Sequence, residues 1–425
     1  VTDADLRAKV LAKELTPQDP VSQIMSSPVI SIPAGAQVFE VFIKMTSKDK
    51  RHLAITNKAL DIIGIITEKD LISSQSNSTY LLIKAIQSAE HIEHLENIHS
   101  RLSELLLDPI KNGSNPEYIT KLITAFSEAI LNKIIRFTID EIGQAPCRFV
   151  FMIMGSEGRD EQTLISDQDN ALLYEDLADP DEAEKALEYF RKFSELTCNQ
   201  LNRAGFKFCD GDNMAKNPKW CQPLSVWKQY FTNWIRSVDP QKILYSSIFF
   251  DFRGAWGDLS LTDELKDHLS KSVKEWPGIL RCLTENSFQF KPPISFFGNF
   301  IVEEKGKHKG SFDIKKALLP IIDFARIYSL KEGIFATNTL TRLFRLYTKH
   351  SLTSKQYLNL IRSYNHMMGL RFLRQITTIM DEGQEPDNYI NPANFSSIDQ
   401  AMLKEIFKII EKLQQKLKVE FIGAS

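Results

Sequence analysis

The chain has 425 residues, enough for roughly two to four domains, and its 43% apolar and 25% charged residues are those of an ordinary soluble globular protein. A net charge of −2 without a long basic stripe argues against nucleic acid as the main substrate, and no run approaches the roughly 18–20 apolar residues of a membrane-spanning helix. The N-terminus, Val1-Thr2-Asp3-Ala4-Asp5, lacks the basic-then-apolar order of a signal peptide. Five cysteines, with no C-x-x-C pair, point to free thiols in a reducing cytoplasm and away from zinc.

An internal repeat comes first. Val1-Thr2-Asp3-Ala4-Asp5-Leu6-Arg7 returns as Ile66-Thr67-Glu68-Lys69-Asp70-Leu71-Ile72, both reading apolar-Thr-acidic-x-Asp-Leu. A full unit precedes the second copy. Val21 to Met25 opens it, Pro28 to Ile32 reads as a short strand and Val38 to Met45 as a helix. His52 to Thr56 and Ile62 to Ile66 read as strands, and a closing helix starts at Asp70. The first copy keeps only its last residues, so the chain reads as a piece of a longer protein. The unit resembles the CBS repeat, two of which pack into one module. That resemblance implies an adenine nucleotide as ligand, with the Thr67 hydroxyl on phosphate and the Asp70 carboxylate on ribose hydroxyls.

From Ser78 to Gly143 the pattern turns helical, with Ile92, Leu95, Leu102 and Leu105 at three- and four-residue steps. Asn115 caps a second helix, Pro116 occupies its first position and Gly143 ends it, so the segment reads as a connecting helical pair. His91, His94 and His99 read as solvated rather than metal-binding. Arg148 to Met154 is a buried strand, Ala171 to Tyr174 another, Asp181 to Gly205 a long helix and Trp227 to Phe250 helical again. Phe297 to Glu303 looks strand-like, followed by an exposed turn over Lys305 to Lys309. Helices are then expected over Asp313 to Lys331, Asn338 to Tyr347, Ser354 to Met380 and Ser397 to Val419.

The chemistry lies between the two central strands. Met154-Gly155-Ser156-Glu157-Gly158-Arg159-Asp160-Glu161 is followed by Ser166-Asp167-Gln168-Asp169-Asn170. Gly155 lets the backbone approach a ligand closely, and Ser156 stands where helical N–H groups can face a phosphate. Asp167 comes eleven residues after Ser156. On a strand, residues two apart share a face, so Asp167 and Asp169 converge while Gln168 turns away. Two carboxylates beside a phosphate cradle suit Mg²⁺ (or Mn²⁺), which is held by one or two carboxylates plus substrate phosphates. The matching reaction is in-line attack on an α-phosphate with pyrophosphate leaving.

This combination resembles the nucleotidyltransferase superfamily of the polymerase-beta kind. It looks more like the branch of PII uridylyltransferase and glutamine-synthetase adenylyltransferase, whose pattern is Gly-x-Gly-Arg-x-Glu followed by Ser-Asp-x-Asp. It is most similar to bacterial signal-transduction nucleotidyltransferases that join CBS repeats, this catalytic domain and a helical substrate-binding domain. The likeness extends to Met214-Ala215-Lys216-Asn217-Pro218, Phe249-Phe250-Asp251-Phe252-Arg253, Asp313-Ile314-Lys315-Lys316, Ala325-Arg326-Ile327-Tyr328 and Thr337-Asn338-Thr339-Leu340.

The resemblance implies an α+β multidomain chain. Its parts are a CBS segment over 1–75, a helical linker over 76–145, a mixed α/β catalytic domain with a small sheet over 146–286 and a helical domain over 287–425. Gly155, Ser156, Gly158 and Arg159 are the nucleotide-binding candidates, and Asp167 and Asp169 the catalytic metal ligands. Arg159 either contacts phosphate or braces the turn by pairing with Glu161 or Asp160. Asp212 or Asp251 supplies a third carboxylate, unless Asp251 and Arg253 form a helix-borne ion pair. Lys316 and Arg326 either reach the base or acceptor or are structural. The expected activity is transfer of AMP or UMP to a protein under CBS control, in a cytoplasmic homodimer without nucleic-acid or membrane partners. The alternatives are a non-catalytic nucleotide sensor and transfer to a small molecule. None of the eight histidines is followed by Asp, so a reversing His-Asp hydrolase is not expected.

Overall fold

A computed structural model describes every residue except 3–4, 11–14, 17, 49, 73–76, 97, 166, 238 and 424–425. The repeat residues Asp3 and Ala4 and the motif residue Ser166 therefore lie outside the described residues, as does the side chain of His99. Two compact units are present, Val1–Lys84 and Ala85–Ser425.

In the first unit, β1 (Ser31–Pro33), α1 (Val38–Ser47), β2 (His52–Thr56), β3 (Ile62–Thr67) and α2 (Glu68–Ile72) follow the expected order. The sheet runs β1-β2-β3, with β1 parallel and β3 antiparallel to β2. Ile32, Phe42, Met45, Leu53 and Leu71 are among its buried apolar residues. Ile62, Ile63 and Ile65 of β3 are exposed. Thr67 caps α2: its hydroxyl accepts the Asp70 N–H at 3.3 Å while the Asp70 carboxylate accepts the Thr67 N–H at 2.9 Å. Thr2 and Asp5 repeat that reciprocal pair at 3.3 and 2.9 Å. The sequence repeat is thus a repeated helix-start device.

Helix α3 (Asn77–Ser88) spans the unit boundary. Next come α4 (Ile98–Lys111) and α5 (Pro116–Ile142), so the region read as a helical pair holds three helices. Asn115 caps α5 by accepting the Glu117 N–H at 3.0 Å, Pro116 takes its first turn, and Gly143 ends it with φ 89°. Helix α5 is built into the second unit's core, because it packs on α7 (Pro180–Arg203) and α14 (Ser354–Met380).

A four-stranded sheet is the centre of that unit. Its order is β6 (Cys221–Pro223), β5 (Asn170–Tyr174), β4 (Phe149–Ile153), β7 (Arg253–Gly257). Strand β4 runs antiparallel to both β5 and β7, and β6 runs parallel to β5. Every residue of β4 and β5 is buried, which is why both read as continuous apolar runs rather than alternations. One helical turn, α6 (Gly155–Gly158), follows β4.

The helix expected over Trp227 to Phe250 is two, α8 (Leu224–Ile235) and α9 (Pro240–Phe249). Pro240 lacks a donor N–H and suits a first helical position, so it opens a new helix instead of continuing one. Helices α10 (Ser260–Glu275) and α11 (Gly278–Ser287) lead to the C-terminal region. No strand forms over Phe297 to Glu303. Only an Ile294–Phe300 bridge pairs there, and Phe296 and Phe297 stand 98% and 87% exposed at a turn. The apolar alternation finds no partner strand. A short antiparallel pair, β8 (Phe312–Asp313) and β9 (Tyr389–Ile390), ties α12 (Ile314–Lys331) to the segment before α15 (Ser397–Phe421), with α13 (Thr339–Thr348) and α14 between. No helix among the described residues is long and apolar enough to cross a membrane.

Candidate active site

The cradle forms where β4 hands over to α6. Gly155 has φ 60°, a left-handed conformation that glycine adopts without a Cβ penalty. A Cβ there would meet Asp169 Oδ2 at 2.9 Å, so the missing side chain is the space the carboxylate occupies. Asp169 is fixed from its backbone, its carbonyl accepting the Met154 N–H at 2.9 Å. Asp167 forms a parallel bridge with Lys207, and Gln168 donates to the Cys198 and Phe206 carbonyls at 3.0 and 2.9 Å. Gln168 is buried, Asp169 half-buried and Asp167 exposed. The alternation expected of a strand therefore holds just ahead of β5, with Gln168 turned into the core.

Electrostatics link the two aspartates. Burial raises the Asp169 carboxyl above its usual range, a hydrogen bond from the Cys209 thiol lowers it, and the Asp167 charge raises it again. Lys315, on the first turn of α12, feels both acids, while desolvation of its ammonium by the surrounding protein and the charge of Arg371 pull it below the usual lysine value. Glu157 is buried behind the turn. Burial pushes its carboxyl up to about 8 despite Arg253, with Asp169, Glu128 and Asp160 adding to the rise.

Arg159 does not face the cradle. Its guanidinium is buried, donating to Glu161 at 2.8 Å and to Asp251 at 2.8 Å. Of the two readings the sequence allowed, the brace is the one formed, with Glu161 rather than Asp160 as the partner. Asp160 pairs with Arg253 at 2.7 Å, and Arg253 also meets Glu128 at 2.6 Å. Gly158 is likewise a packing residue, because a Cβ there would lie 2.0 Å from the Asp251 carbonyl oxygen.

Asp251 cannot serve as a third metal ligand. Wholly buried, it meets three guanidiniums: Arg159 at 2.8 Å, Arg326 at 2.6 Å and Arg342 at 2.7 Å. Burial alone would raise its carboxyl, but Arg326, Arg342 and Arg159 hold it far below the usual carboxylate range. Asp251 follows α9 and does not pair with Arg253, so the helix-borne pair between those two is not formed. Arg326 is consumed in this cluster, with Asp323 at 2.5 Å, and cannot reach a base or acceptor. Around it, Thr339 donates its N–H to Glu161 at 2.6 Å and Asn338 donates its side-chain amide to the Arg159 carbonyl at 2.9 Å. The Gly-Arg-x-Glu turn is therefore clasped to the C-terminal helices.

Asp212, the other candidate, sits in a left-handed conformation with φ 51°. Asn217 donates to its carboxylate at 2.9 Å, and Trp220 donates to its carbonyl at 3.1 Å. Among the described residues no group of three His, Cys, Asp or Glu side chains is assembled to hold a metal ion. Asp167 and Asp169 alone fit a cation that takes its remaining ligands from substrate phosphates and water. All five cysteines are free. Sequence reading missed Cys209, counted only as a free thiol, and Lys315, the neighbour of the Lys316 it selected. The helix-cap pattern at Asp313 could have pointed to Lys315.

In the first unit, Thr67 and Asp70 bond to each other, hydroxyl to carboxylate at 2.7 Å, in the turn described above. A nucleotide that used both would have to compete with that bond.

Comparison with known families agrees with this layout. Residues 100–241 match the family described as "Putative nucleotidyltransferase DUF294", residues 277–421 its "Putative nucleotidyltransferase substrate binding domain" and residues 21–77 the CBS domain. The nucleotidyltransferase match takes in nearly all of α4 and all of α5, within the segment first read as a linker. No curated protein matches the chain. The chain belongs to the family that joins a CBS domain to a DUF294-type nucleotidyltransferase domain and its helical substrate-binding domain.

Proposed function

We propose that this chain transfers a nucleoside monophosphate, AMP or UMP, from a nucleoside triphosphate to an acceptor, and that the acceptor is a regulatory protein. The observation that carries this reading is the Asp169 carboxylate seated in the space left by the missing Gly155 side chain, with Asp167 beside it. Asp167 and Asp169 would hold Mg²⁺ or Mn²⁺, which when bound neutralises phosphate charge and draws electrons from the α-phosphorus. The first N–H groups of α6 have no intrahelical partners and are the donors this chain offers to phosphate oxygens. The Cys209 thiol donates a hydrogen bond to the Asp169 carboxylate. An acceptor oxygen forms a bond to the α-phosphorus as the bond to the β-phosphate oxygen breaks, and pyrophosphate leaves.

The CBS unit fits the role of a control element with an adenine nucleotide at Thr67 and Asp70. The exposed Ile62, Ile63 and Ile65 of β3 favour a homodimer through CBS pairing. A second reading, a nucleotide sensor without transfer, is favoured by two observations: Asp251 is locked among arginines and Asp212 is braced by Asn217.

The test is label transfer from each α-labelled nucleoside triphosphate with Mg²⁺, with and without cell lysate, beside Asp167→Asn/Asp169→Asn. Label on a lysate band or on the protein itself that vanishes in the double variant supports transfer. Nucleotide binding without any transfer supports the sensor.

A further inference from the structure

A nucleotidyltransferase site must neutralise a triphosphate, and the cations nearest the aspartates are mostly committed. Arg159 is buried between Glu161 and Asp251. Lys207, whose backbone bridges Asp167, gives its ammonium to Glu385 at 2.7 Å. Arg371 is buried and donates through Nε to the Asn388 side chain at 2.8 Å. Lys315 is exposed, lies in the field of Asp167 and Asp169, and has no ion pair within 4 Å among the described residues.

Its position is fixed by several independent bonds. The Asp313 carboxylate accepts the Lys315 and Lys316 N–H groups at 2.9 and 3.2 Å, which sets the first turn of α12. The Ile314 N–H donates to the Asn388 carbonyl at 2.9 Å, and β8 pairs with β9 beside it. Gln375 then joins this corner to the loop leading into Asp167. It accepts the Leu164 N–H at 3.1 Å and donates to the Thr163 hydroxyl at 3.2 Å and to Asn388 at 2.9 Å. The start of α12 is thereby tied to the loop that leads into both aspartates.

We infer that Lys315 is the phosphate-binding cation of the site, contributed by the C-terminal domain to the donor nucleotide's triphosphate. This assignment rests on the nucleotidyltransferase reading above and names a residue of the substrate-binding domain that faces donor rather than acceptor. An exposed ammonium without an ion pair, at the start of a helix tied to the loop before Asp167, gains a partner when phosphates and a cation enter together. Lys355, exposed in the first turn of α14, serves as a control of equal charge.

Calorimetric titration of the full chain with ATP and with UTP, each with Mg²⁺, tests the assignment without requiring turnover. Lys315→Ala is expected to weaken binding by roughly ten- to hundredfold and to flatten its salt dependence. Lys315→Arg should recover much of the loss, and Lys355→Ala should bind as the wild type does. Thermal unfolding of all three should match the wild type, because the side chains are exposed. Wild-type binding that Lys315→Ala leaves unchanged overturns the assignment alone. Absence of binding by the wild type to either nucleotide overturns the nucleotidyltransferase reading and the assignment with it.

Discussion

Asp251→Asn separates a structural carboxylate from a metal ligand by a stability measurement. The wild-type carboxylate is wholly buried against Arg159, Arg326 and Arg342, with Glu161 and Asp323 the other acids in the cluster. Replacing it by an amide removes the one negative charge shared by all three guanidiniums and leaves them buried. Breaking a buried pair in this way costs about 3–5 kcal/mol, since the remaining charges keep their desolvation penalty. For the unit Ala85–Ser425, at about 2.1 cal/mol/K of unfolding entropy per residue, that is a fall in Tm of roughly 4–7 °C, read by calorimetry with unfolding of the first unit followed separately. The pH profile adds a second signature. Asp251 is held below its unfolded value, so its contribution is present above about pH 4 and is lost as pH falls through the carboxylate range. The variant should lack that component of acid sensitivity. An Asp251→Asn protein with unchanged Tm that loses Mg²⁺-dependent transfer would refute the argument, because that pair of results belongs to a ligand of the metal.

Two further outcomes follow from the turn after β4. Gly155→Ala places a methyl group 2.9 Å from Asp169 Oδ2 at φ 60°, and should cut Mg²⁺-dependent transfer at least about tenfold for a stability cost of only about 1–2 kcal/mol; full activity in a well-folded variant would sink the cradle. Glu157 has its folded value raised to about 8, so stability present below the unfolded glutamate value is lost as pH rises through that window. Glu157→Gln should accordingly gain on the wild type in chemical denaturation at pH 8, by at most about 4–5 kcal/mol, and hardly at all at pH 5; equal gains at both would show that Glu157 is not held protonated.

Much of this protein was readable from residue order, because the signals concerned are local. Asn115-Pro116, Asp179-Pro180 and Thr353 with Gln356 each announce a helix start through bonds made within one turn. The unbroken apolar runs of β4 and β5 mark strands buried on both faces, and the two-residue period carries Asp167 and Asp169 to one side with Gln168 opposed. The Thr-x-x-Asp repeat at Thr2 and Thr67 is local in the same sense. The partners of charged side chains are not. Arg159 lies next to the Gly155-Ser156 turn in sequence, yet its carboxylate partner Asp251 comes 92 residues later, and Arg326 and Arg342 arrive from helices further still. Sequence could say that an arginine there would bind an anion. Only the packing of the C-terminal helices against the turn decides that the anion is Asp251, because a buried guanidinium takes whichever carboxylate the fold brings into its shell.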